Sequence, residues 1–246
     1  MLQISHHHGP DVVVLTIDRQ HRRNAVDGET LSLLADAIDS AVAQQARVVV
    51  LTGAGGHFSA GADLGGVEND KFLDSLRRAL VALAEAPLVT IAAVEGFALG
   101  AGTQMASFCD LRVATESAVF GIPAAKLGIA VDQATVARVT ELCGGGPARS
   151  MLLAAENLDG KRAYELGFVQ KLGDLADAVV WAQSIAELAP LTIAAHKSAL
   201  TAVRQASTGP ASAQAQKGFL RAWQSNDLVE GRAAFQEKRR PKFEGR

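Results

Sequence analysis

Hydrophobic and polar positions follow two rhythms along this chain. Val48–Leu51 and Leu88–Val94 are short runs of Val, Ile, Leu and Ala, broken only by Thr90. Apolar runs of this length without alternation predict strands covered on both faces rather than edge strands. Elsewhere the period is helical. Leu31, Leu34, Ala35, Ile38 and Val42 fall on one face of a helix that Asp27 is placed to cap, and a second helix around Asp70 to Glu85 returns the chain from the first apolar run to the next. At the start, residues 2–8 and Val12–Ile17 flank the turn tripeptide Gly9-Pro10-Asp11 and predict a hairpin. Strand, helix and strand in succession predict an α/β fold with the loops of parallel strands meeting at one edge.

The second apolar run leads into Gly96, Gly100 and Gly102, and then into a small-residue segment to Cys109 that reads as a buried helix. A strand, a glycine turn and a helix aim unpaired backbone N–H groups and the positive end of a helix dipole at one place. Phosphate, carboxylate or a developing oxyanion suits such a place. Gly100-Ala-Gly102 begins a dinucleotide fingerprint, but Met105 stands where its third glycine belongs, which argues against a pyrophosphate site. Before this stretch, a glycine-rich loop runs from Gly53 to Gly66. It contains Ser59-Ala-Gly-Ala-Asp-Leu64, so N–H groups from two loops can converge on one ligand atom as an oxyanion hole.

Past this region, Gly144 to Pro147 separates two helices, and a helix from Gly160 to Leu166 ends at Gly167. Phe168 to Leu172 adds a last short strand. From Asp174 the chain reads as helical, broken at Pro190 and Gly209-Pro210. Phe219, Trp223 and Phe235 are spaced too widely for a core of their own, so this tail packs on another surface.

Composition narrows the chemistry. The 246 residues are 48% hydrophobic and 20% charged, with a formal net charge of -2, which suits a globular chain and gives no field to recruit nucleic acid. Two cysteines, Cys109 and Cys143, make neither a disulfide framework nor a metal-ligand spacing, so a cytoplasmic, reducing location without membrane insertion is expected. His6, His7 and His8 alternate between strand faces or stem from an added tag. His57 and His196 read as surface or packing side chains.

Several motifs then occur in one order: Asn24-Ala25, Ser59–Leu64, Ala98-Leu-Gly-Ala-Gly102, Cys109-Asp-Leu-Arg112, Phe120-Gly-Ile-Pro123, Lys126-Leu-Gly128 and Glu237–Phe243. In these the chain resembles the crotonase (enoyl-CoA hydratase/isomerase) superfamily over almost its whole length. The resemblance implies a crotonase-like spiral of repeated ββα units over residues 1–190, with a C-terminal helical oligomerisation region over residues 191–246. It implies a coenzyme A thioester as substrate or ligand, with no other cofactor and no metal. It also implies a homotrimer or hexamer. The oxyanion donors map to the N–H of Ala62 and Ala101, the latter replacing a more usual glycine. Ala60, Asp63 and Leu64 map to the adenine and pantetheine path, and Arg22 lies near the CoA phosphates. Phe235 and Lys238 map to a helix that reaches CoA on a neighbouring subunit. For Asp63 a local role, capping the next turn, stands beside ligand contact.

The departures bear on the reaction. Where family hydratases carry two glutamates, this chain has Gln104 and Ala124. Hydration needs a base for water and an acid for the α carbon, and neither an amide nor a methyl titrates. Asp132 lies in a loop where certain isomerases and a dehalogenase of the family place a catalytic aspartate. It is also positioned to cap the helix from Gln133 to Leu142. Two functions are therefore expected. One is an acyl-CoA protein acting as a single-base isomerase or weak hydratase through Asp132. The other is a non-catalytic acyl-CoA-binding or carrier protein of fatty-acid metabolism.

Overall fold

The computed structural model describes residues 1–7, 9–63, 65, 69–208 and 213–245; His8, Leu64 and Gly209-Pro210 lie outside them. The chain runs β1 (Leu2–His7), β2 (Val12–Ile17), α1 (Gly28–Ala43), β3 (Val48–Gly53), α2 (Asn69–Glu85), β4 (Val89–Val94), β5 (Phe97–Leu99), α3 (Ala101–Phe108), β6 (Leu111–Ala114) and β7 (Val119–Gly121). It continues through α4 (Gln133–Cys143), α5 (Gly145–Leu153), β8 (Leu158–Asp159), α6 (Gly160–Glu165), β9 (Lys171–Leu172), α7 (Leu175–Ala186), α8 (Pro190–Thr208), α9 (Ala213–Trp223) and α10 (Asn226–Gln236).

A main sheet of order β1-β2-β3-β4-β6-β9 is parallel except for the β1-β2 hairpin. Its central strands explain the missing alternation. Val49 and Leu51 face a core shared with α1, α2 and α3, while Val48 and Val50 face a second core closed by Ala178, Ala182 and Ile185 of α7. With helices on both faces, every position of β4 is buried and none can be polar without an internal partner.

A smaller sheet, β5-β7-β8, stands beside the first. Single parallel bridges, Val26 to Ala62 and Ser59 to Ala98, extend it. Each turn of the chain therefore places a strand in the main sheet, a strand or bridge in the small one, and then a helix. This is the repeated ββα spiral. The small sheet changes one expectation: the glycine turn before α3 leaves β5, not the long strand β4. β5, β6 and β7 have three or four residues each, too few for a period to register.

The starts of α1 and α4 fall where the sequence puts them. Asp27, Asp132, Asp159 and Asp174 each accept from a backbone N–H in the first turn of α1, α4, α6 and α7. Gly144 alone separates α4 from α5, and Pro147 falls in the first turn of α5. Helix α8 is tied to the core by Lys197. Its ammonium donates to Asp110 Oδ2 at 2.7 Å and to the carbonyls of Leu83 and Leu88 at 3.2 and 2.9 Å. Among the described residues no single helix is long and apolar enough to cross a membrane.

Candidate active site

Two loops meet because a glycine allows it. Gly61 has φ +104°, and a Cβ there would lie 2.8 Å from the Leu99 carbonyl oxygen and 3.7 Å from the Ala101 nitrogen. Gly102 is as confined, since a Cβ would lie 2.6 Å from the Ser59 carbonyl oxygen. The two loops are also bonded to each other: Ser59 N–H donates to Phe97 at 2.8 Å and Leu99 N–H to Ser59 at 2.9 Å.

Strand geometry then frees the two nitrogens. In the bridge to Val26, the bonds run from Val26 N–H to Gly61 and from Asp63 N–H to Val26, so Ala62 turns its own N–H away from that partner. Ala101 is the first residue of α3, where no carbonyl lies one turn back, and Gly100 at its N-cap has no side chain to cap with. Among the described residues neither N–H has a hydrogen-bond partner. Ala101 starts the helix at negative φ, so its methyl group is accommodated without strain.

The rest of α3 is built to hold that end still. Thr103 Oγ1 donates to the Ala98 carbonyl and accepts from Gly121 N–H at 3.0 Å, which pins the first turn to β5 and β7. At the other end, Arg112 Nη1 donates to the carbonyls of Ala106 and Cys109 at 3.0 and 2.9 Å, and Arg138 Nε to that of Ser107 at 2.8 Å. Two guanidinium groups thus meet the negative end of the dipole, and the positive end is left to the cavity. Burial, with the Arg138 charge adding to it, brings Arg112 down to about 10. Burial likewise pushes the Cys109 thiol up to about 12, so it is an inert core side chain.

Ala62 and Ala101, which carry the two N–H groups, both line a cavity of about 820 Å³, within the range of small-molecule sites. The structure brings Ala60, Ala62, Ala101, Gln104, Ala124, Asp132 and Phe235 to its wall. It does not bring Arg22, Asp63 or Lys238 there. Asp63 instead accepts from Arg19 at 3.1 Å and from Gly65 N–H at 3.4 Å, so its local role is realised. Arg22 is exposed, 4.0 Å from Asp63, and Lys238 is exposed just past α10. Leu64 lies outside the described residues.

Asp132 does two things in place: Oδ1 accepts from Thr135 N–H at 2.8 Å, capping α4, and the residue borders the cavity. Gln104 is 6% exposed, and among the described residues its Oε1 is buried without a hydrogen-bond partner.

Sequence reasoning missed two contributors. Asn24 is buried, with φ 58°, and its amide donates to the carbonyls of Ala54 and His57 at 2.7 and 2.6 Å, locking the first polar loop onto the glycine loop. The Asn-Ala pair was visible as a motif, but its bonding was not. The surface that Phe219 and Trp223 pack on is the chain's own cavity, with Trp223 Nε1 donating to the Ala130 carbonyl at 2.8 Å. Phe72, Leu76 and Leu80 of α2 add apolar side chains to the same cavity lining; their helical spacing was the available signal.

Comparison with known proteins agrees with this architecture. The model of the enoyl-CoA hydratase/isomerase family matches residues 8–246. The probable enoyl-CoA hydratase echA6 of Mycobacterium tuberculosis is 41% identical over 241 residues, covering 95% of this chain and 96% of that one. The 2,3-dehydroadipyl-CoA hydratase of Escherichia coli is 34% identical over 246 residues, covering 96% of each. A crystal structure of an enoyl-CoA hydratase/isomerase from Pseudoalteromonas atlantica superposes with a TM-score of 0.88 at 30% identity over 99% of both chains. Motifs, spiral and relatives agree, and the chain belongs to the enoyl-CoA hydratase/isomerase family, the crotonase superfamily.

Proposed function

We propose that this protein binds fatty acyl-CoA thioesters with the thioester oxygen between the N–H groups of Ala62 and Ala101. The observation that carries this reading is the pair of unpartnered donors bordering one cavity. Two such donors polarise the carbonyl and stabilise the enolate formed when a proton leaves the α carbon. Asp132 is the carboxylate we assign as base. It takes the α proton of a 3-enoyl thioester, electrons move through the dienolate, and the proton returns at the γ carbon to give the 2-enoyl isomer. One base suffices for that exchange, whereas hydration by two groups loses about 10²–10⁴-fold for each one missing. With Gln104 and Ala124 in the glutamate positions, hydration is therefore weak.

A second reading, a non-catalytic acyl-CoA-binding or carrier protein, is favoured by one observation: Asp132 Oδ1 is already committed to the α4 cap. We place the protein in the cytoplasm as a homotrimer or hexamer assembled through residues 191–246. The exposed Leu191, Leu200 and Val203 of α8, at 84%, 70% and 69%, support the assembly. Incubation with trans-3-enoyl-CoA and trans-2-enoyl-CoA in deuterated water separates the two functions. Isomerisation or α-deuterium uptake that disappears in Asp132→Asn supports the enzyme. Tight binding with neither favours the carrier.

A further inference from the structure

The carboxylate assigned as base stands at the end of a segment with almost no backbone bonding of its own. Ile129 N–H donates to the Ala124 carbonyl at 3.2 Å, ending the short helical turn Pro123–Leu127, and the Asp132 carbonyl accepts from Val136 N–H at 3.1 Å as α4 begins. Between these two, among the described residues, one hydrogen bond holds the backbone: Trp223 Nε1 donates to the Ala130 carbonyl at 2.8 Å. Ile129 to Asp132 are all half-buried, and all four line the cavity.

The C-terminal helices therefore decide where this segment runs. A Cβ on Gly128, at φ +68°, would run into the Asp227 carbonyl, and one on Gly231 into the Leu127 carbonyl, so α10 lies directly on the turn. Trp223 of α9 fixes the middle of the segment, and Asp132 is two residues further on. Its Oδ1 is taken by the α4 cap, which leaves Oδ2 for a substrate proton. A carboxylate capped in this way does not search by rotating; its position is inherited from the backbone. A displacement of about 1 Å at a reacting group can cost about 10²-fold in rate.

We infer that Trp223 is a positioning residue for Asp132: its indole N–H, by holding Ala130, sets where Oδ2 meets the α carbon of the bound thioester. This rests on Asp132 as the base proposed above. The ring of Trp223 is cavity wall, so the two parts of the side chain are separable. The ring bears on binding, and the N–H on proton transfer.

The test uses the full-length protein and reads kcat for isomerisation of trans-3-enoyl-CoA beside the calorimetric Kd of the saturated acyl-CoA of the same length. Trp223→Phe keeps an aromatic ring and removes the donor. A second variant, Trp223→β-(3-benzothienyl)alanine, keeps both rings and replaces the N–H by sulfur, so lost packing does not account for its behaviour. Both are expected to lose about 10- to 100-fold in kcat. Both should bind the saturated ligand within about 3-fold of the wild type and melt within about 4 °C of it. Wild-type kcat in the benzothienyl variant overturns the inference alone, and so does weakened binding with kcat unchanged, the signature of a wall residue. A benzothienyl variant that melts more than about 10 °C lower shows that the N–H holds the fold rather than the base, and overturns it too. No isomerisation by the wild type, or isomerisation that survives in Asp132→Asn, overturns the base assignment on which it stands.

Discussion

Replacing Gly61 by alanine tests whether the two loops must touch for the site to exist. At φ +104° an L-residue is strained by about 1–2 kcal/mol. The new Cβ would also sit 2.8 Å from the Leu99 carbonyl oxygen, a backbone atom that cannot swing aside, so the loops must separate at a further cost of about 1–3 kcal/mol. The sum is about 2–5 kcal/mol. Gly56→Ala is the control: its φ is +77° and nothing lies within 4 Å of the added carbon, so only the strain applies. For a chain of this length each kcal/mol lowers the melting temperature by about 2–4 °C. Gly61→Ala should therefore melt well below Gly56→Ala. Binding should separate them further. Moving Ala62 away from Ala101 removes a donor from the thioester oxygen of the bound ligand, a loss of about 3- to 10-fold in affinity for one net hydrogen bond. The measurements are thermal melts of both variants and titration with a saturated acyl-CoA below the lower melting point. Equal melting of the two variants, or wild-type acyl-CoA affinity in Gly61→Ala, would refute the reasoning.

Asp132→Asn preserves the α4 cap and should leave stability within about 0.5 kcal/mol, whereas Asp132→Ala should lose about 1 kcal/mol by denaturant titration. Loss of α-proton exchange in both would separate the base from the cap. Lys197→Met leaves the Asp110 carboxylate and two carbonyls without their ammonium and should destabilise by about 3–5 kcal/mol; a change below 1 kcal/mol would mean α8 is not held there. Hydrogen bonds from Arg239 hold the Glu230 carboxyl down to about 2, from an ordinary value of 4.5. The folded value is the lower one, so its contribution is complete above 4.5 and disappears as pH falls through about 2. Hydrogen exchange at Lys242, whose N–H donates to Glu230 at 2.7 Å, should accelerate across that window relative to its intrinsic rate, and in Glu230→Gln should lose this pH dependence.

What was legible in the sequence was what local chemistry decides. The runs at Val48 and Leu88, the α1 period and the aspartate caps encode their own outcome within a few residues. Asp132 was readable as a cap because a cap is a three-residue relation. What was not legible depends on distant partners. β5 and β7 are strands because Phe97–Leu99 and Val119–Gly121 pair with each other in the small sheet. Lys197 meets Asp110 across 87 positions, and Trp223 meets Ala130 across 93. The site shows the same division. The glycines announced a nest of donors. That Ala62 turns its N–H outward follows only from the bridge to Val26, and that Gln104 Oε1 lacks a partner among the described residues follows only from what surrounds it.

The most direct test is a crystal structure of the protein with a bound acyl-CoA. The thioester oxygen is expected about 2.7–3.1 Å from the nitrogens of both Ala62 and Ala101, with the acyl chain running between α2 and the Phe219–Trp223 wall. A thioester lying away from both nitrogens would contradict it.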